Sequence, residues 1–288
     1  NSQYIDTFFF FWFVDFINFT FFSSIAFFIA FLTVFMSSQQ GSVFYITKFH
    51  ILMNRSVHNA HHPGVILGVM LVGLGGNNGT TFTAGIMANA KKMSWETKRG
   101  VEKANFYGSF TQSATTHVGY KYDEKTKRLE DVFKPINEIM PMVNPCDFDI
   151  SGWDISGLNL FEAAKRAHVL EPTLLNQLKE ELEAIKPLPA VLNQEFIAAN
   201  QADRVDNVFT GTNQECIDKI RKDIQEKKKV VDKVVVLWTA NTEMMYKPDI
   251  EDVADLKKRI ADNVALPSSV LYCVAAIEEG LLYLNGSP

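Results

Sequence analysis

From residue 65 onward the hydrophobic pattern alternates between short continuous runs and longer stretches of helical period. Val65 to Val72 is a near-continuous apolar run closed by glycine, as expected for a strand buried on both faces of a parallel sheet. Val234 to Trp238 repeats the pattern, Asp147 to Ser156 gives a shorter apolar segment ending near Asp154, and Leu281 to Leu284 closes the series. Helical patterns separate them. Thr80 to Ala90 offers small and apolar residues, with Asn78 or Thr80 as its cap. Leu158 to Val169 is a second helix. Pro172 opens a third, with Leu174, Leu175, Leu178, Leu182 and Ile185 along one face and Pro187 to Pro189 ending it. Thr212 and Glu215 form a capping box for a helix carrying Ile217, Ile220 and Ile224, whose end, Lys227 to Lys229, reads as solvated. A last helix runs from about Pro267 to Glu279, with Gly280 as its C-cap. The charged stretch Lys121 to Glu130 reads as an exposed hairpin or loop. Strands alternating with helices predict an α/β fold built on a parallel sheet.

The first strand runs into Gly73, Gly75, Gly76, Asn77, Asn78 and Gly79. A strand, a glycine turn and a helix N-terminus make an anion site, because glycine lets the backbone approach a phosphate and the helix end presents N–H groups and a positive dipole. The expectation is a Rossmann-like sheet with flanking helices. The glycines fall as G-x-G-G-x-x-G, one residue longer than the usual fingerprint, and the bland reading is a tight turn needing positive φ. The acid expected about 20 residues on would be Glu96, where no clear second strand ends. Asp154, after an apolar segment, sits where open α/β sheets bind ligands, or else caps the next helix. Gln201 and Arg204 can reach a phosphate or amide, although an exposed salt bridge is the default for such an arginine. Thr239, Ala240, Asn241 and Thr242 end the second buried strand in small polar residues, and Asn285, Gly286, Ser287 and Pro288 form a similar turn.

Composition adds limits. A net charge of −5 gives no general electrostatic reason to expect nucleic acid. Cys146, Cys216 and Cys273 are far apart and form no C-x-x-C pair, which fits a reducing, cytoplasmic setting better than disulfides or a zinc site. Residues 1–36 hold 13 of the 23 phenylalanines, and Phe16 to Met36 is 21 residues without a charge. Read literally, that is a transmembrane helix. The Phe runs, the absence of flanking basic residues and the start at Asn1 favour a gene-model artefact instead. Residues 37–64 read as a polar linker, and His58, His61 and His62 lack a second ligand cluster to complete a metal site. Residues 65–288 then form the domain that matters.

The segments GLGGNNGTT (73–81), GWDIS (152–156), FIAANQADR (196–204), DKVVVLWTANTE (232–243) and LNGSP (284–288), in that order, resemble the inositol-3-phosphate synthase family, also called myo-inositol-1-phosphate synthase. The likeness covers roughly Gly68 to Pro288, and none of residues 1–60 is expected to take part. It implies NAD as cofactor. The turn at Gly75, Gly76, Asn77 and Asn78 would cradle the pyrophosphate, and Asp154 would hydrogen-bond the adenosine ribose. Ala190 and Val191, then Gln201 and Arg204, then Thr239 to Thr242, and finally Gly286 and Ser287 would line the same site. Leu74 stands where the family frequently has tryptophan, Ala190 where it often has serine, and Met244 to Pro248 departs from the usual continuation of TANTE.

The resemblance also implies a reaction: isomerisation of D-glucose 6-phosphate to 1D-myo-inositol 3-phosphate, for inositol and phospholipid biosynthesis. It proceeds by oxidation at C5, enolisation at C6, attack on the C1 aldehyde and re-reduction, with cations and proton-relaying lysines assisting. In the family those lysines lie in a catalytic and tetramerisation domain beyond NGSP. The expectation is therefore an NAD-binding portion that lacks the catalytic lysines and is incomplete at its C-terminal end. The homotetramer of the family is in doubt for it. The rivals are a non-catalytic NAD-binding or membrane-anchored protein, and an ordinary NAD-dependent dehydrogenase.

Overall fold

A computed structural model describes residues 65–140, 142–197 and 204–287. The Phe-rich segment, the linker with its histidines, and Gln201 lie outside the described residues. Within the span read as one domain, two compact units occur: one of Ile66–Ala104 with Cys146–Pro288, the other containing Asn105–Pro145.

The larger unit is built on β1 (Leu67–Val72), whose six residues are all buried. It is followed by α1 (Asn77–Ala90) and by a small hairpin of β2 (Ser94–Thr97) and β3 (Gly100–Lys103). In the other unit, α2 (Phe110–Ser113) precedes the antiparallel pair β4 (Thr115–Asp123) and β5 (Arg128–Pro135), then α3 (Ile136–Ile139). This pair is the hairpin expected around Lys121 to Glu130.

The chain returns to the first unit with β6 (Phe148–Asp154), α4 (Leu160–Ala167), α5 (Pro172–Gln177), α6 (Lys179–Ala184), β7 (Leu188–Val191) and β8 (Val208–Phe209). It finishes with α7 (Asn213–Lys228), β9 (Lys233–Trp238), α8 (Val253–Ala261), α9 (Ser268–Glu278) and β10 (Leu282–Asn285). The six main strands stand in the order β10-β9-β1-β6-β7-β8, every neighbouring pair parallel. β1 is central because both its faces and both its edges are covered. Leu67 to Val72 pairs with Phe148 to Trp153 on one side and Lys233 to Trp238 on the other. One core joins Met70, Val72, Trp153, Val236 and Trp238 to Ile217, Ile220 and Ile224 of α7 and to Leu271, Tyr272 and Ala275 of α9. Burial of such side chains is the main force holding sheet and helices together, at roughly 1.5–3 kcal/mol for each large one.

Gly152 is where the strands crowd most. Its φ is +154°, and a Cβ there would lie 2.0 Å from the Leu71 carbonyl oxygen. No side chain fits.

Three expectations change. The helix opened by Pro172 is two, α5 and α6, turning at Leu178, whose side chain stays fully buried. The leucine face stays on the core across this turn, with Leu174, Leu175, Leu178 and Leu182 all buried. Pro187 to Pro189 does not simply end a helix: Leu188 and Pro189 pair with Trp153 and Asp154 as the start of β7. Proline brings no N–H to a ladder, and the Asn207 side-chain amide donates instead to the Asp154 carbonyl (3.1 Å) and the Leu188 carbonyl (3.2 Å). Lastly, Lys228 and Lys229 are exposed as expected of a solvated end, but Lys227 is not. Lys227 Nζ lies 2.7 Å from Asp149 with its side chain 10% exposed, and Lys228 bonds the Glu279 carboxylate at 2.9 Å.

Candidate functional site

The chain leaves β1 toward β6, β7 and β8 on one side and comes back to β9 and β10 on the other. The carboxyl ends of β1 and β9 therefore flank a topological switch point, where open α/β sheets bind ligands.

Gly73 makes this junction possible. With φ at +91° it turns the chain sharply, and a Cβ would lie 2.9 Å from the Ala240 backbone. The turn then delivers α1, whose N-cap is Gly76 with no side-chain hydrogen bond to it and no acid in the first turn. This corrects the expected cap. Asn78 uses its side-chain amide on the Thr239 carbonyl at 3.5 Å, and the Thr80 hydroxyl donates to the carbonyls of Gly76 (2.8 Å) and Asn77 (3.2 Å). The first-turn N–H groups consequently keep no side-chain acceptor, and the dipole favours an anion there.

Asp154 ends β6 beside that turn and is 6% exposed. One carboxylate oxygen accepts the Gly75 amide at 2.8 Å and the other accepts the Ser156 amide at 2.9 Å. It is not a helix cap, because Asn159 caps α4 by accepting the Glu162 amide. Burial pushes the Asp154 carboxyl above the ordinary aspartate value, while the two amides and the charges of Arg166 and Arg204 pull it back. Glu96, the acid at the usual spacing, is exposed on the β2–β3 hairpin.

The other predicted residues gather with uneven roles. Thr239 gives both its amide and its hydroxyl to the Val72 carbonyl, each at 2.9 Å, so its polar atoms bind β9 to β1. Ala240 is half-buried, while Asn241 and Thr242 are exposed. Ser287 donates to the Ala240 carbonyl at 2.7 Å, and the Gly286 amide to the Trp238 carbonyl at 3.0 Å. The β9 and β10 ends are thus tied together. Ala190 and Val191 are buried, their amides already bonded to the Asn207 carbonyl and to the Tyr272 hydroxyl, 3.0 Å each. Arg204 is half-buried, its charge acting on Asp154.

Arg166 was not singled out from sequence. It donates to the Gly75 carbonyl at 2.9 Å and reaches the Ser156 hydroxyl at 3.5 Å. In the sequence it is merely a cation in a helix's last turn, where the dipole alone accounts for it. A cavity of about 200 Å³ opens near the ends of β9 and β10, lined by Trp238, Glu243, Tyr246, Asn285 and Ser287 among others. Among the described residues there is no cluster of ligands able to hold a metal, and no helix is long and apolar enough to cross a membrane.

A family model described as myo-inositol-1-phosphate synthase, named for NAD binding, matches residues 67–288. Inositol-3-phosphate synthase 1 of Oryza sativa subsp. japonica is 47% identical over 229 residues, taking in 77% of this chain and 44% of that protein. Inositol-3-phosphate synthase 1 of Bos taurus is 44% identical over 256 residues, 87% of this chain and 44% of that protein. That coverage exceeds what residues 61–288 contain, so some residues before 61 take part, contrary to expectation. The crystal structure of inositol-3-phosphate synthase from Caenorhabditis elegans superposes with a TM-score of 0.71 at 43% identity, covering 77% of this chain and 44% of that one. The chain thus spans less than half the length of these relatives. With the parallel six-stranded sheet, the glycine turn and a model match over residues 67–288, the chain belongs to the myo-inositol-1-phosphate synthase family.

Proposed function

We propose that this chain holds NAD across the switch point of its sheet, as the cofactor-binding portion of an inositol-3-phosphate synthase. The observation that carries this is the α1 N-terminus, without a side-chain cap, set beside the buried Asp154 carboxylate.

The donor set fits a dinucleotide. The backbone of Gly75, Gly76, Asn77 and Asn78 would take the pyrophosphate, whose charge the helix end favours. Asp154 already accepts one amide on each oxygen, and its remaining lone pairs would accept the adenosine ribose hydroxyls. Arg204, and Gln201 nearby in sequence, would supply donors to the adenosine half or its phosphate. Ala190 and Val191, buried and with their amides already bonded, would back the site rather than donate to the cofactor. Thr239 to Thr242 with Gly286 and Ser287 would form the opposite wall. When bound, NAD supplies a reversible hydride acceptor.

In the whole enzyme the substrate would be D-glucose 6-phosphate, oxidised at C5, cyclised and reduced again to 1D-myo-inositol 3-phosphate. The lysines for that chemistry lie in the family beyond NGSP. Calorimetric titration of the full chain should show NAD binding, and incubation with NAD and glucose 6-phosphate should give no net NADH, since the family's isomerisation returns the hydride. Absence of NAD binding, or accumulation of net NADH, would overturn this reading.

A further inference from the structure

We propose that Arg166 is a positioning residue for the cofactor: one guanidinium holds the glycine turn against the end of β6 and keeps Asp154 an acceptor for the ribose. The inference rests on the NAD reading above.

Gly75 is gripped from both sides. Its amide donates to Asp154 at 2.8 Å, and its carbonyl accepts from Arg166 at 2.9 Å. The second arm of the fork reaches the Ser156 hydroxyl at 3.5 Å, on the residue whose amide holds the other Asp154 oxygen. Turn, carboxylate and strand end are thus linked through one planar group. α4 fixes its position, because Leu160, Phe161, Ala163 and Ala164 are buried along that helix and Asn159 caps its start. Arg166 itself is half-buried, while its neighbour Lys165 is exposed.

The electrostatics run in the same direction. Asp154 is faced by the amides of Gly75 and Ser156, by Arg166 and Arg204, and by the buried Tyr272 phenol, on which its charge acts. Burial favours the neutral acid and the two arginines oppose it. Without Arg166 the carboxyl would hold its proton to a higher pH, and a protonated carboxyl offers the ribose hydroxyls fewer acceptor sites. Lysine cannot substitute, since a point charge cannot occupy both acceptors of a fork.

Full-length wild type, R166K and R166M are titrated with NAD and with ADP-ribose from about pH 8 down to about pH 5, on the side toward which burial raises the Asp154 carboxyl. Thermal midpoints without ligand are recorded alongside. Both ligands should bind R166M about tenfold more weakly at the upper pH, the scale of a lost charge-assisted bidentate contact. The gap should widen as pH falls, with R166K also impaired. R166K serves if R166M does not fold. Equal affinity of wild type and both variants at every pH overturns the proposal. So does a pH-independent loss that tracks a lowered thermal midpoint, which marks a purely structural arginine. If wild type binds neither ligand, the NAD reading itself has failed.

Discussion

The two units use similar residues to opposite ends. In the sheet unit, β1 and the last five residues of β9 are continuous apolar runs and are buried throughout. In the hairpin unit, Tyr120, Tyr122, Leu129 and Phe133 are equally good strand formers, yet they are 56–68% exposed. The difference lies in the neighbours along the chain. Lys121, Glu130 and Lys134 alternate with those side chains, so each strand has a polar face, whereas β1 has none. The hairpin is held by its ladder and by cross-strand pairs such as Tyr122 with Leu129 and His117 with Phe133, the latter with rings 5.5 Å apart. Pairs of this kind contribute roughly 0.2–1 kcal/mol each. An unbroken apolar run thus marks a strand covered on both faces, whereas apolar residues in an alternating strand do not by themselves say which face is covered.

If burial decides stability in this way, substitutions should divide sharply between the units. Gly152→Ala forces a Cβ into the Leu71 carbonyl, and we expect a loss of more than about 4 kcal/mol, measured as the denaturant midpoint of the sheet unit. A near-normal midpoint would break the comparison.

An intermediate effect is expected at the junction of α7 and α9. There Lys228 first, then Gln225 and Arg221, hold the Glu279 carboxyl down at about 2 against an ordinary value of 4.5. A depressed carboxyl stabilises the fold above its unfolded pKa and loses that contribution as pH falls toward the folded one. The thermal midpoint of wild type should thus exceed that of Glu279→Gln above about pH 5, the two curves converging as the pH approaches 2. Parallel curves over the whole range would show that the network does not act through this charge.

The smallest effect belongs to the hairpin. Tyr120→Ser should shift stability by under about 0.5 kcal/mol in a denaturant melt, as for exposed positions generally. A shift as large as that of a core substitution would mean that this face is covered.

Much of the architecture was legible for the same reason. A strand buried on both faces must be apolar at every position, so β1 and β9 announce themselves, and the Thr212–Glu215 capping box marks the start of α7. β7 was hidden because Pro189 forbids a full ladder and only two of its residues pair with β6. α8, capped by Asp252, went unread although Val253, Leu256 and Ile260 fall at helical spacing. At the site, the glycine turn and the strand-end position of Asp154 could be read from spacing. The ribose assignment for Asp154 came from the family resemblance, since a strand-end aspartate and a helix cap share one local pattern. Arg166 and Asn207 could not be found at all. Their partners are 91 and 53 residues away, or 19 at the nearest long-range carbonyl, and only the fold brings them together.

The central claim is that the α1 N-terminus and the buried Asp154 carboxylate together hold NAD. Calorimetric titration of NAD into full-length wild type and Asp154→Ala, with thermal midpoints matched beforehand, tests it most directly. We predict saturable one-to-one binding by wild type and a loss on the order of 10–100-fold in the variant, the scale of removing a charged hydrogen-bond acceptor. Equal affinity in the two proteins, or no binding by wild type, would contradict it.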